Sequence, residues 1–325
     1  MPGLRIWSNQ KFDTDHAQRL RAAVGPHSVV WATRTSASNL VAGERDSALS
    51  DCHIAYGQPD PNDVAAAREL RLICLSSAGY TRYDTASFRE ICKSKQIIVC
   101  NASGVYDEPC AQHVLAMMLG ISRQVPLAVQ NQLGPKSWPY LPIRSISDLL
   151  DEKTHILLVG YGAIAKRLCE LLAPFRSKVI AFRRNVRGDE LCPTHPIDQL
   201  DSFTPEADHV VNILPLTNDT TGFFDADRFA KFKPGSRFYN IGRGDTVDQD
   251  ALIGALNRGQ LASAYLDVTS PEPLPSDHPL WTTANCHIFP HTGGGTHDEA
   301  DRQIAHFAEN VKRFERGEEL CDRIF

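Results

Sequence analysis

The chain has 325 residues, 42% hydrophobic and 22% charged, enough to bury the cores of about two domains of ordinary size. A formal net charge of −5 and a pI near 6.2 exclude the broad basic field that nucleic acid requires. Nine cysteines, odd in number and without a C-x-x-C pair, argue against a disulfide framework or a zinc knuckle and suit reduced thiols.

The first elements alternate. Leu4–Trp7 reads as a strand, Asp15–Val24 as an amphipathic helix and Ser28–Trp31 as a second strand. Further strands are expected near His53–Tyr56, Leu70–Leu75 and Gln96–Cys100, with helical stretches before the last two. A mostly helical arm, Pro109–Gln132, leads into a Pro- and Trp-containing segment, Gly134–Leu141. A second alternating series follows, with strands at Ile156–Val159, Lys178–Phe182, His209–Leu214, Arg237–Ile241, Ala262–Leu266 and Cys286–Phe289. A last helix is expected over roughly 297–315.

Alternation of this length predicts parallel βαβ units, hence an α/β fold with two doubly wound parallel-sheet domains and a ligand cleft between them. No run approaches about 18 apolar residues, so no membrane span is expected. Met1–Ser8, with Arg5 and no long apolar stretch, does not read as a signal peptide, and a cytoplasmic location is expected.

Strand Ile156–Val159 runs into Gly160-Tyr161-Gly162-Ala163-Ile164-Ala165, a G-x-G-x-x-G/A dinucleotide fingerprint in its strand-to-helix context. Gly160 permits the tight turn and Gly162 lets pyrophosphate approach the backbone, with Ala163 and Ile164 opening a helix whose N–H groups face the phosphates. The second strand should end in an acid for the ribose hydroxyls of NAD. It ends instead in Arg183-Arg184, with Arg187 beyond. Arginines can clamp a 2′-phosphate with charge-assisted bonds, so NADP is favoured, with NAD possible.

Three later segments carry chemistry: 240–248 (N-I-G-R-G-D-T-V-D), 266–273 (L-D-V-T-S-P-E-P) and 289–296 (F-P-H-T-G-G-G-T). Each holds a residue type of known chemical use: an arginine, whose two-pronged guanidinium suits a planar carboxylate, an acid, and a histidine, which donates a proton near neutral pH. In this order after the fingerprint, the segments resemble the D-isomer-specific 2-hydroxyacid dehydrogenase family, across nearly the whole chain. Within that family the chain resembles glyoxylate/hydroxypyruvate reductases.

The resemblance implies a flavodoxin-like substrate domain, 1–101 plus 292–325, and a Rossmann cofactor domain, 102–291. It implies that Arg243 binds the substrate carboxylate, that His291 is the acid/base and that Glu272 pairs with it. Asp267 falls near the nicotinamide carboxamide, and Leu214, Pro215, Thr220, Ile241, Gly242, His291 and Gly293 fall along the cofactor. Ser77, Ala78 and Gly79 match a loop whose backbone N–H groups help hold the substrate carboxylate, with Arg243 and His291. The other histidines, His113 and His287 among them, read as structural or surface residues.

Two departures stand out. Cys110-Ala111-Gln112 lacks the acid often found at the start of the arm helix, and Arg183-Arg184 replaces the acid typical of NAD users. The implied function is reduction of a small 2-keto acid, glyoxylate or hydroxypyruvate or similar, to the D-2-hydroxy acid with NADPH. The implied partners are that substrate and a second copy through the 109–145 arm; no metal, nucleic acid or membrane is expected. A corepressor-like NAD(P)(H)-sensing binding protein with little turnover is the alternative.

Overall fold

The computed structural model describes residues 3–36 and 43–325. These divide into two compact units, 3–106 with 295–325, and 107–294. The sequence-based boundaries, 101/102 and 291/292, lie a few residues earlier than 106/107 and 294/295. The first crossing falls inside a helix, where no change of periodicity marks it.

In the first unit, strands β1 (Arg5–Ser8), β2 (Ser28–Trp31), β3 (Ile54–Gly57), β4 (Leu72–Leu75) and β5 (Ile98–Cys100) form a parallel sheet in the order β2-β1-β3-β4-β5. This is the flavodoxin-like order. Helices α1 (Thr14–Ala23), α2 (Pro61–Ala66) and α3 (Ala86–Ser94) make the connections. Ile6, Ile54, Leu72 and Ile98 stand in register on one face, and Trp7, Ala55, Ile73 and Val99 on the other. The two rows enter two separate cores, so both faces are covered and the strands read as apolar runs. The N-caps are ordinary: Asp13, Asp60 and Thr85 each accept a backbone N–H of the first turn, an arrangement worth about 1 kcal/mol per helix.

Helix α4 (Ser103–Ser122) ends where Gln124 takes a left-handed conformation, φ 58°, and α5 (Val125–Leu133) starts anew. The expected, mostly helical arm is thus made of two helices, followed by α6 (Tyr140–Ser145) in the Pro/Trp segment.

The second unit holds β6 (His155–Val159), α7 (Ala163–Leu172), β7 (Lys178–Arg183), β8 (Thr194–Pro196), β9 (His209–Asn212), α8 (Ala226–Ala230), β10 (Ser236–Asn240), α9 (Gln249–Asn257), β11 (Leu261–Leu266) and β12 (Cys286–Ile288). The sheet is parallel, in the order β12-β11-β10-β9-β6-β7-β8. Short β8 was not expected: Thr-His-Pro shows no apolar run, and only pairing with Ala181–Arg183 makes it a strand. Helix α10 (Glu299–Arg316) returns to the first unit and packs on α1.

Strand β6 lies between β7 and β9, so the connection after β6 leaves on one side of the sheet and the connection after β7 and β8 returns on the other. The fingerprint turn thus sits at the topological switch point, where such sheets bind ligands beyond their carboxyl ends. No helix among the described residues is long and apolar enough to cross a membrane.

Candidate active site

The phosphate turn is shaped by close backbone approach. Gly160 has φ +103°, and a Cβ there would stand 2.8 Å from the Ile213 carbonyl oxygen. Both conformation and space therefore exclude a side chain. Gly162 is different: it caps α7 without any side-chain hydrogen bond, and nothing lies within 4 Å of where its Cβ would be. The first-turn N–H groups at Ala163 and Ile164 therefore face an open cradle that no side chain of the cap fills, the geometry that suits a pyrophosphate. Ala165 is fully buried against the sheet.

Neighbouring strand ends complete this rim. A Cβ on Gly242 would meet the Leu214 carbonyl oxygen at 2.5 Å, which places the ends of β9 and β10 in contact. Asn212 Oδ1 accepts the Leu214 N–H (3.1 Å), and the Thr220 hydroxyl donates to the Pro215 carbonyl (2.6 Å). Leu214, Pro215, Thr220, Ile241 and Gly242 are brought together here, at the carboxyl ends of the strands.

The end of β7 holds a finding that residue order did not reveal. Arg183 Nη1 donates to Glu190 Oε1 (2.7 Å), and its guanidinium lies 5.7 Å from the Tyr161 ring centroid. Glu190 also accepts the N–H groups of Arg187 (2.9 Å) and Gly188 (2.8 Å). Its carboxyl is held at about 2, first by the Arg187 backbone N–H, with burial opposing and Arg183 assisting. Arg184 pairs with Asp219 (2.8 Å) at an exposed site. Both arginines therefore stand beside acids.

The 240–248 segment presents Arg243. Asn240 Oδ1 accepts the Gly242 N–H (3.1 Å) and Asn212 Nδ2 (3.0 Å). The Arg243 carbonyl accepts Asn240 Nδ2 (3.2 Å) and the Thr246 hydroxyl (2.6 Å). Asp248 caps α9 by accepting the Ala251 N–H (3.0 Å). The asparagine and final aspartate of the motif thus hold a turn, while the half-buried arginine is what the turn displays. A Cβ on Gly244 would sit 2.0 Å from the Thr269 carbonyl oxygen, so this turn lies directly against 267–272.

Glu272 Oε1 accepts the Thr269 N–H (3.0 Å), and Oε2 lies 2.8 Å from His291 Nδ1. Burial opposes ionisation of Glu272, but the hydrogen bond and charge of His291, the Thr269 N–H and the charge of Arg243 hold its carboxyl below the ordinary range. Nδ1 is thus committed to the carboxylate and Nε2 is the ring nitrogen left for chemistry.

His291 itself has φ +54°, a left-handed conformation uncommon outside glycine. Its N–H donates to the carbonyls of Asp267 (2.9 Å) and Phe289 (3.0 Å). The buried Asp267 carboxylate accepts the N–H groups of Thr292 (2.9 Å) and Gly293 (3.0 Å). Resemblance places Asp267 by the nicotinamide carboxamide; here it ties down the loop that carries His291. His113 sits against this arrangement, 3.7 Å from Asp267 and in contact with the Tyr265 hydroxyl. A Cβ on Gly293 would meet Asp267 Oδ2 at 2.7 Å and His113 Cδ2 at 3.0 Å. Burial lowers the pKa of His113 against the pull of Asp267. From sequence His113 reads as a structural or surface residue; its neighbour Asp267 lies more than 150 positions away, where nothing in its helix could mark it.

In the first unit, the turn after β4 has its carbonyls fixed. Ser77 O accepts the Ala102 N–H (3.1 Å), Ala78 O accepts Asn101 Nδ2 (2.7 Å), and Gly79 O accepts the Ser77 hydroxyl (2.7 Å). Gln58 Nε2 donates to the Ser77 hydroxyl (3.1 Å). The peptide planes of Ser77, Ala78 and Gly79 are therefore held in set orientations.

Comparison with known proteins agrees with this geometry. Residues 115–293 match the model of the D-isomer specific 2-hydroxyacid dehydrogenase, NAD binding domain. The chain is 35% identical over 263 residues to glyoxylate reductase/hydroxypyruvate reductase of Mus musculus, covering 79% of this chain and 77% of that one. It is 32% identical over 292 residues to glyoxylate/hydroxypyruvate reductase B of Escherichia fergusonii, covering 86% and 87%. Among solved structures, a D-isomer specific 2-hydroxyacid dehydrogenase from Xanthobacter autotrophicus Py2, in complex with NADPH and MES, superposes with a TM-score of 0.79 at 26% identity, covering 100% and 98%. Shared fold, ordered motifs and these similarities lead to one conclusion: the chain is an NAD(P)-dependent dehydrogenase belonging to the D-isomer-specific 2-hydroxyacid dehydrogenase family.

Proposed function

We propose that this enzyme reduces a small 2-keto acid of the glyoxylate or hydroxypyruvate kind to its D-2-hydroxy acid, preferring NADPH. The observation that carries the catalytic part is the 2.8 Å contact between His291 Nδ1 and Glu272 Oε2. It orients the ring so that Nε2 can give a proton to the carbonyl oxygen as negative charge develops there. The Glu272 carboxylate stabilises the imidazolium that must be present beforehand. Arg243 grips the substrate carboxylate and fixes the carbonyl carbon, an orientation effect that lowers the entropic barrier. The Ser77–Gly79 turn is the second anion-binding element by family resemblance, and its fixed peptide planes suit that use.

The residues at the phosphate turn fit a dinucleotide: Gly160, Gly162, Ala163 and Ile164 would hold the pyrophosphate, with Leu214, Pro215, Thr220, Ile241, Gly242 and Gly293 along the rest of the rim. When bound, the nicotinamide supplies the hydride. Support for NADPH is the pair Arg183 and Arg184 in place of an acid, together with the NADPH held by the Xanthobacter relative. Glu190 tempers this reading, since it shares the charge of Arg183.

The substrate domain is assigned to 1–106 with 295–325 and the cofactor domain to 107–294. A homodimer through the 109–145 arm and a cytoplasmic location complete the proposal. The arm exposes Val125, Val129, Leu133, Trp138, Tyr140 and Leu141, and an apolar cavity of about 780 Å³ lies between α4, α5 and β12. A mass measurement in solution tests the dimer.

The deciding experiment is a steady-state screen of NADPH and NADH against glyoxylate, hydroxypyruvate, pyruvate, phenylpyruvate and 3-phosphohydroxypyruvate. Turnover of glyoxylate or hydroxypyruvate with NADPH supports the reading. Tight cofactor binding with negligible turnover of every acid would replace it with the corepressor-like sensor.

A further inference from the structure

Two of the nine cysteines meet at a place the catalytic chemistry does not use. Cys169, on the inner face of α7, and Cys192, just before β8, hold their sulfurs 3.5 Å apart. Cys169 is 9% exposed, and Cys192 is half-buried and so open to small solutes. A disulfide needs the sulfurs at about 2.05 Å, a closure of the size that side-chain rotation and a small backbone shift supply. The thiols are also unequal. Cys169 donates its hydrogen to Cys192, and this bond lowers the pKa of the Cys192 thiol while raising that of Cys169. Of the two, the sulfur that accepts this bond is also the more exposed one, the side from which an oxidant would arrive.

We propose that Cys169 and Cys192 form a reversible disulfide on exposure to a hydroperoxide, clamping the segment between β7 and β8 onto α7. The Cys192 thiolate attacks the peroxide oxygen, breaking the O–O bond. Sulfur is oxidised to the sulfenic acid, and the leaving oxygen takes up a proton as water or alcohol. The Cys169 sulfur then attacks the sulfenic sulfur and breaks its S–O bond, and the leaving hydroxide takes the Cys169 proton to depart as water. With hydrogen peroxide, two thiols and one peroxide give one disulfide and two waters.

The clamp adjoins the cofactor rim. Leu191, next to Cys192, donates its N–H to the Tyr161 hydroxyl (2.8 Å), and Tyr161 belongs to the fingerprint turn. Glu190, one residue further back, holds Arg183. Drawing Cys192 toward α7 shifts both contacts, so oxidation raises KM for NADPH several-fold and leaves kcat little changed. This last effect rests on Arg183 reading the 2′-phosphate; the disulfide does not.

The test treats the whole protein with hydrogen peroxide, blocks remaining thiols, digests without reductant and looks for the peptide of Cys169 joined to that of Cys192. The linked peptide should appear, vanish with dithiothreitol, and be absent from Cys192→Ser and Cys169→Ser. Cys192, the more exposed partner, keeps the test readable if loss of Cys169 impairs folding. Oxidation that leaves the two unlinked, or that carries Cys192 to the sulfinic acid, overturns the proposal. A linked peptide with unchanged KM for NADPH keeps the disulfide and overturns its coupling to the cofactor. A reduced protein without turnover on any acid tells against the proposed function instead.

Discussion

The three segments that carry Arg243, Glu272 and His291 and the segment from Arg183 to Glu190 both bear charge at strand ends, yet they are built in opposite ways. In the first three, motif residues hold one another: Asn240 and Thr246 fix the Arg243 carbonyl, Thr269 fixes Glu272, and Asp267 fixes the turn of His291. After β7, Arg183 and Arg184 are each met by an acid outside the pair, Glu190 and Asp219. The contrast teaches that an ordered motif signals both a residue and its support. A charged pair signals only the charge, and its partner decides how much of that charge a ligand feels.

The largest expected effect tests the better-supported region. His291→Asn should lower kcat by about 10²- to 10⁴-fold, the usual share of a general acid, with little change in the KM for cofactor. A loss below tenfold, measured at saturating substrate, would remove His291 from the proton transfer.

Next in size is the other region. Arg183→Asp combined with Arg184→Ala should shift the NADPH-to-NADH ratio of kcat/KM toward NADH by roughly 10- to 100-fold, the worth of a charge-assisted bond. An unchanged ratio would show that neither side chain reads the 2′-phosphate.

Glu272→Gln should cost about tenfold in kcat/KM for reduction, because His291 Nδ1 loses the carboxylate that holds the ring. Glu272 is held below its ordinary value of 4.5, so its pairing stabilises the fold above that pH and is lost as pH falls through the lowered value. An unchanged kcat/KM, or an acid-unfolding profile identical to that of the unaltered enzyme, would break the pairing argument.

The smallest effect sharpens the comparison most. Glu190→Gln keeps an acceptor for Arg183 and removes the negative charge beside it. The NADPH-to-NADH ratio should rise roughly 2- to 5-fold, the scale of a partly exposed ion pair. A fall would mean that Glu190 serves mainly to position Arg183.

Amino-acid order alone carried much of the architecture. Both parallel sheets, the fingerprint at Gly160 and the Arg-Glu-His order were legible because each depends on local rules: apolar runs for strands covered on both faces, glycine where backbone approaches backbone, and fixed spacing within a turn. Strand β8 was not legible, since Thr194–Pro196 is a strand only because β7 offers an edge. The break at Gln124 was legible only in part: Pro126 suits the first turn of a new helix, but nothing marks the left-handed residue itself.

The tertiary structure decided the partnerships. Glu190 against Arg183, His113 against Asp267 and Cys169 against Cys192 join residues 7 to 154 positions apart, numbers that follow from their positions in the chain. No periodicity links such pairs. They exist because the sheet order brings their elements side by side, where burial makes an unpaired charge costly and a facing partner worthwhile.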